Sequence, residues 1–204
     1  MKMNSDIEKM LKDVVKRVSA VRPSLQCVHF ENGDAVVTDS HRLIRVKGAA
    51  PKNLILDLNL ADFSFPEISY PNVDRLIPKK FSTEFTLSRA DALTLLPSLK
   101  AMTKVNSDFK KVVKLEVSEM NFKISCSETS TGISQMIDLE PKEFSGAEIS
   151  LSCNSQYLVD ALEALTSMKD IKFVNMEVKI NSGLTPFLIS AGNIDYLLTP
   201  VKVF

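Results

Sequence analysis

From Phe81 to Phe204 the sequence spells one order of elements twice, strand, amphipathic helix and three strands, at a spacing of about 60 residues. Glu84–Leu87 alternates and leads to Ser88, which is suited to cap a helix over Arg89–Met102. Ala92, Leu93, Leu95, Leu96 and Leu99 give that helix its apolar face, and Pro97 is expected to kink it. Strands follow at Lys111–Val117, Asn121–Ser127 and Gly132–Leu139. The second copy reads Ala147–Cys153, a helix capped near Asn154 or Ser155 and reaching Met168, then Ile171–Ile180, Thr185–Ser190 and Tyr196–Val201. A unit written twice with different residues constrains the architecture tightly: an α+β fold with helices packed on antiparallel sheets.

The first half starts the same way and stops short. Ile7, Met10, Leu11, Val14, Val15 and Val18 fall on one face of a helix over residues 6–20, with Ser5 as its N-cap and Arg22-Pro23 as its end. The period then changes to two. Leu25–Phe30 and Ala35–Thr38 are joined across Asn32-Gly33, a pair that supplies the positive φ angles of a tight hairpin turn. Leu43–Lys47, Leu54–Leu58 and Glu67–Tyr70 read as further strands, and no second helix of comparable quality lies between Gly48 and Pro78. Pro78-Lys79-Lys80-Phe81-Ser82 reads as a linker, which divides the chain into residues 1–80 and 81–204.

Composition narrows the function classes. The 25 Lys and Arg balance the 25 Asp and Glu, so any nucleic-acid contact must come from a local patch rather than from excess charge. Such patches occur at Lys9, Lys12, Lys16, Arg17 and Arg22, and at Lys100 and Lys104, although solvated helix faces read the same way. No apolar run is long enough for a membrane helix and the first residues do not resemble a signal peptide, so a cytoplasmic protein is expected. Cys27, Cys126 and Cys153 sit in apolar or alternating stretches and read as core thiols. With two histidines and no G-x-S-x-G, Walker loop or H-E-x-x-H, neither catalysis nor a metal or other cofactor is expected.

Three short strings carry a family resemblance. Val36-Val37-Thr38-Asp39-Ser40-His41-Arg42-Leu43 is similar to the T-D-G-H-R-L string in the middle domain of bacterial DNA polymerase sliding clamps, the DNA polymerase III beta subunits, with Ser40 in place of glycine. Tyr70-Pro71-Asn72-Val73-Asp74-Arg75-Leu76-Ile77-Pro78 resembles the family's F/Y-P-x-x-x-R-[VL]-[LI]-P segment. Tyr196-Leu197-Leu198-Thr199-Pro200-Val201-Lys202 resembles its Y-x-x-x-P-[VM]-[RK] ending. Each string alone is weak, but their order and spacing also fit. The resemblance covers residues 70–204 closely and 8–70 more loosely.

The resemblance implies a DNA-clamp fold, with a complete clamp domain preceded by a shortened, middle-domain-like one. It further implies a non-catalytic processivity factor of DNA replication that tethers proteins to duplex DNA without reading sequence. Helix cations would meet phosphates, here Lys9, Lys12, Lys16, Arg17, Arg22, Lys100 and Lys104. A surface cleft would take linear peptides of polymerases and clamp loaders. Carried over position by position, Thr38, His41, Arg42 and Leu43 would form one wall and Pro71, Arg75 and Leu76 the floor. Leu197, Thr199, Pro200, Val201 and Lys202 would close it, with Pro186 alongside.

The chain departs from the family between Leu58 and Phe65, where a second helix and more strands would stand. Two readings therefore remain: a reduced clamp that assembles with further copies of itself, and a non-encircling adaptor or decoy that binds clamp partner peptides without enclosing DNA. Without the resemblance, the cleft residues read as ordinary packing residues of strands and turns.

Overall fold

The structure, a computed structural model, describes residues 5–67, 69–105, 111–128, 132–168 and 175–203. Helix α1 (Ser5–Val15) buries Ile7, Met10, Leu11, Val14 and Val15, the stripe the sequence predicts. It ends five residues early. Lys16 still donates to Lys12 O, but Arg17 and Val18 bond three residues back, so the chain tightens and turns away. The turn carries Val18 into a different apolar cluster from the rest of the stripe.

A 3-10 turn at Pro23–Gln26 leads to β1 (Cys27–Glu31), β2 (Asp34–Thr38), β3 (Arg42–Val46) and β4 (Leu56–Asn59). The β1–β2 turn uses Asn32 at φ 55 and Gly33 at φ 91, as its sequence requires. Glu67, Ser69 and Tyr70, expected in a strand, lie in none; Ile68 falls outside the described residues. Tyr70 instead stacks on His29, with ring centroids 4.7 Å apart.

The duplicated unit follows as β5 (Thr83–Ser88), α2 (Arg89–Val105), β6 (Val112–Val117), β7 (Phe122–Glu128), β8 (Ile133–Leu139), β9 (Lys142–Gly146), β10 (Ile149–Asn154), α3 (Ser155–Ser167), β11 (Asn175–Ile180), β12 (Phe187–Ala191) and β13 (Ile194–Leu198). Ser88 Oγ accepts from Asp91 N at 3.1 Å, and Asn154 Oδ1 accepts from Gln156 N at 2.8 Å, so both helices start on the caps expected of them. Helix α2 runs on through Pro97, which is exposed. The first four residues of the expected strand over 171–180 lie outside the described residues.

Strand β9 has no signal in the sequence. It pairs with β5 across a register shift, and Gly146 at φ 108 makes the contact possible: a Cβ there would lie 1.9 Å from Ser82 O.

The two copies interlock. Strand β5 opens the first and pairs with β11 of the second, while β10 opens the second and pairs with β6 of the first. The sheets are β4-β1-β2-β3-β13-β12-β11-β5-β9 and β10-β6-β7-β8. The join across the expected linker is β3 against β13, antiparallel, with Leu43 opposite Leu197 and Arg42 opposite Leu198.

Alternation then decides which face each side chain meets. Val37, Ile44, Phe187, Ile189, Tyr196 and Leu198 join the main core with the three helices and the smaller sheet. Val36, Leu43, Leu188 and Leu197 face the other way, into a second cluster closed by Val18, Leu25, Tyr70 and Val73.

Candidate partner cleft and DNA-facing helices

Side chains tie the β2–β3 turn on both sides. Asp39 Oδ1 accepts from His41 N and Arg42 N, both at 3.0 Å, and Thr38 Oγ1 donates to Arg42 O at 2.7 Å. Ser40 stands at φ 79, a left-handed conformation that costs a residue with a Cβ about 1 kcal/mol relative to glycine. Its amide donates to Thr38 Oγ1 at 3.1 Å, and its hydroxyl accepts from Arg22 Nη1 at 2.6 Å, which offsets part of that cost. The chain end meets this turn: Thr199 donates to His41 O through its amide at 3.0 Å and its hydroxyl at 2.8 Å.

Thr38, His41, Arg42, Leu43, Leu197 and Thr199 thus share one locale although they lie about 160 residues apart in sequence. The segment after Tyr70 reaches the same place, since Tyr70 and Val73 pack on Leu43 and Leu197. That packing leaves Leu43 and Leu197 only 2% and 3% exposed, as the floor under the segment. Pro71 and Arg75 are exposed, and Leu76 is 50% exposed, so Leu76 presents an open aliphatic side chain. Pro186 and Pro200 are half-buried, and Val201 N donates to Ser152 O at 2.7 Å, which lays the tail, with exposed Lys202, along β10.

Arg42 faces the helices. Its guanidinium donates to Asp39 Oδ2 at 2.8 Å, to Asp160 Oδ2 on α3 at 2.6 Å and to Tyr196 Oη at 3.2 Å, and lies 4.9 Å from the Tyr157 ring centroid. Burial acts to lower its pKa, but Tyr196, Asp39 and Asp160 outweigh burial and hold it above the ordinary arginine value. Nη2 is buried with no hydrogen-bond partner among the described residues. His41 stacks on Tyr157 at 5.9 Å, so both residues of the His-Arg pair rest on α3. Burial pushes the Tyr196 phenol up to about 12, against the pull of Arg42.

Three of the seven candidate DNA cations border a groove of about 780 Å³ between α1 and the α2–α3 pair. Lys9, Arg17 and Lys100 line it, but so do Asp6, Asp13, Asp160 and Glu163. Lys12 pairs with Glu8 at 2.6 Å, Arg17 with Asp160 at 2.5 Å, and Lys100 with Glu163. Lys9, Lys16 and Lys104 are exposed and make no ion pair within 4.0 Å among the described residues.

Tyr157 and Asp160, which order this region, escape sequence reasoning, and Asp39 enters it only as a member of its string. Asp160 sits on an amphipathic helix where an acid reads as solvated, and only the join of β3 to β13 brings it to Arg42. Among the described residues no group of three or more His, Cys, Asp or Glu could hold a metal ion, and no described helix is long and apolar enough to cross a membrane.

Interlocked strand–helix–three-strand copies, with helices over antiparallel sheets and a shortened unit joined edge to edge, define a DNA-clamp protein. The model of the DNA polymerase III beta subunit, C-terminal domain, matches residues 74–201, and the chain belongs to that family. The beta sliding clamp of Streptococcus pneumoniae serotype 4 is 25% identical over 248 residues, covering 95% of this chain and 63% of the relative. That of Bacillus subtilis strain 168 is 24% identical over 175 residues, covering 84% and 41%.

Among solved structures, the B. subtilis sliding clamp aligns with a TM-score of 0.75 at 20% identity, over 97% of this chain and 62% of that one. The Thermotoga maritima beta subunit gives 0.76 at 16% identity, over 97% and 64%. The chain thus spans under two thirds of each relative's length, a shortened form of the clamp fold.

Proposed function

We propose that the chain is a sliding-clamp-like processivity factor, non-catalytic, which tethers polymerase and clamp-loader peptides to duplex DNA in the cytoplasm, with its domains divided near residue 80. The observation that carries this reading is the β3–β13 join, which gathers the three family-like strings around one floor, Leu43 and Leu197, beside exposed Leu76. With that floor covered by Tyr70 and Val73, the open side chain of Leu76 at its rim is the apolar contact left for the aliphatic or aromatic anchor of a linear peptide. Fluorescence titration with a leucine- and phenylalanine-bearing clamp-binding peptide tests it. Micromolar binding that weakens at least fivefold in Leu76→Ser is the expected result; no binding at high micromolar peptide refutes the cleft.

On the DNA side Lys9, Lys16 and Lys104, free of ion pairs among the described residues, carry the phosphate contact, while Lys12, Arg17 and Lys100 are already neutralised. Removing one phosphate interaction should lower the slope of log K against log salt by about 0.9, so a Lys9, Lys16 and Lys104 triple Gln variant should bind duplex with a much flatter salt dependence.

The neutralised half of the basic patch favours a second reading, a non-encircling adaptor that holds partner peptides without enclosing DNA. Peptide binding intact, with no salt-sensitive binding to circular duplex, would select it.

A further inference from the structure

The segment over 70–76 crosses the sheet from β1 to β3. Tyr70 stacks on His29 of β1, Val73 packs with Leu43 and Leu197, and Asp74 reaches β3. The segment ends in a single 3-10 turn, Asp74–Leu76, entered from Val73 in a helical conformation. Asn72 Oδ1 accepts from Asp74 N at 3.2 Å, and Val73 O accepts from Leu76 N at 2.9 Å. With three residues per turn, positions three apart fall on the same side of it, so Leu76 stands beside the buried Val73. The place of Asp74, between the two, therefore fixes where Leu76 opens to solvent.

Strand β3 holds that turn. Alternation sets Leu43 and Arg45 on one face of the strand, about 7 Å apart. Leu43 lies under Val73, and Arg45 Nη2 donates to Asp74 Oδ1. Arg45 lies opposite Val36 of β2 and Asp195 of β13, so the backbone beneath the guanidinium is paired on both sides.

The other acids around Arg45 are engaged elsewhere. Asp195 Oδ1 accepts from Lys47 Nζ at 2.8 Å and from Ser190 Oγ at 2.9 Å. Asp34 Oδ1 accepts from Gly48 N at 3.1 Å, and Asp34 Oδ2 is 3.9 Å from Arg45 Nε, beyond a hydrogen bond. Among the described residues Asp74 is the carboxylate that Arg45 hydrogen-bonds, and Nε is buried without a hydrogen-bond partner. An unpaired buried Nε is a cost to the sheet, and the Asp74 side chain is 62% exposed, so Arg45 adds little to the stability of the fold. What it adds is the place of Asp74.

We propose that Arg45 is a positioning residue of the partner cleft: by holding Asp74 it keeps the one-turn helix seated on β3, with Leu76 presented to the anchor of a partner peptide. The role rests on the reading of this surface as a peptide cleft. Nothing in the sequence marks either residue, since Arg45 lies outside the three strings and Asp74 fills a position that the family-like segment leaves open. Without the ion pair Val73 stays in its cluster while the turn beyond it is released, so affinity falls and the fold remains.

Fluorescence titration of the full chain with the leucine- and phenylalanine-bearing peptide, repeated on variants, tests this. Arg45→Met and Asp74→Asn should each weaken binding about three- to fivefold, the size of an exposed ion pair, and the double variant should be no weaker than either single one. Lys47→Met removes the neighbouring cation on the same face and should leave affinity unchanged. Exchange of the Leu76 amide, bonded to Val73 O, should quicken at least about threefold in Arg45→Met while the urea midpoint stays within about 0.3 M of the parent's, which separates release of the turn from loss of fold. Binding by the parent with Arg45→Met within about twofold of it, additive losses in the double variant, an equal loss in Lys47→Met or an unquickened Leu76 amide overturns the positioning role and leaves the cleft standing. No binding by the parent at high micromolar peptide removes the cleft itself, and the role with it.

Discussion

Replacing Asp160 by alanine isolates the contact that locks the N-terminal strands to the helices of the clamp domain. Asp160 is 15% exposed at its side chain and takes Arg42 Nη1 at 2.6 Å and Arg17 Nη1 at 2.5 Å on one oxygen, with Gln156 Nε2 at 2.9 Å on the other. Arg42 is only 2% exposed at its side chain and keeps Asp39 as its remaining carboxylate. Removing one partner of a buried pair usually costs 3–5 kcal/mol; with Asp39 still in place, we expect about 3 kcal/mol. That is a roughly 150-fold shift in the unfolding equilibrium and, at a slope of about 2 kcal/mol per molar urea, a midpoint about 1.5 M lower. Arg17→Ala removes the exposed member of the same cluster, 46% exposed, and should cost under about 1 kcal/mol. Urea unfolding followed by far-UV circular dichroism reads both. An Asp160→Ala midpoint within about 0.3 M of the parent, or no lower than that of Arg17→Ala, would refute the claim that Asp160 is the structural partner of Arg42.

Three other outcomes follow from local geometry. Tyr196 has its phenol raised to about 12 by burial against about 10 when unfolded, so its contribution is intact below pH 10 and is lost as pH rises toward 12; stability should fall by about 2–3 kcal/mol across that window, less steeply in Tyr196→Phe, as unfolding measured against pH would show. Gly146→Ala places a Cβ on Ser82 O at a left-handed φ and should lower stability by more than about 1 kcal/mol, with amide exchange quickened first along β9. Burial pushes the Cys153 thiol up to about 12, so in the folded protein at pH 8 a thiol reagent should label half-exposed Cys126 and leave Cys153 unmodified until denaturant is added.

The strong periodicities were legible without coordinates. The stripe on α1, the caps at Ser88 and Asn154, the Asn-Gly turn and the doubled strand–helix order all act over a few residues, where a local pattern suffices. Boundaries slipped where a tertiary demand intervened: α1 stops at Val15 because Val18 is needed on the opposite side of the sheet, and Tyr70 leaves the strand expected of it to stack on His29. Strand β9 was invisible because one phenylalanine among polar residues makes no pattern; it is a strand only because β5 offers it an edge. Around the β3–β13 join, the motif strings hold residues that meet in the fold but left their directions open. Arg42 was expected in a wall and turns to α3, while Leu43 and Leu197 lie beneath the segment that follows Tyr70.

The sequence by itself therefore determined most of the elements, their duplication and the family. Only the tertiary structure decided the rest: the interlocked pairing of β5 with β11 and β10 with β6, the β3–β13 join, and the Arg42–Asp160 contact made across it. The physical reason is range. Periodicity and capping are set by neighbours within about one helical turn, whereas pairing and burial of charge depend on which distant strands meet, and alternation alone is satisfied by many pairings.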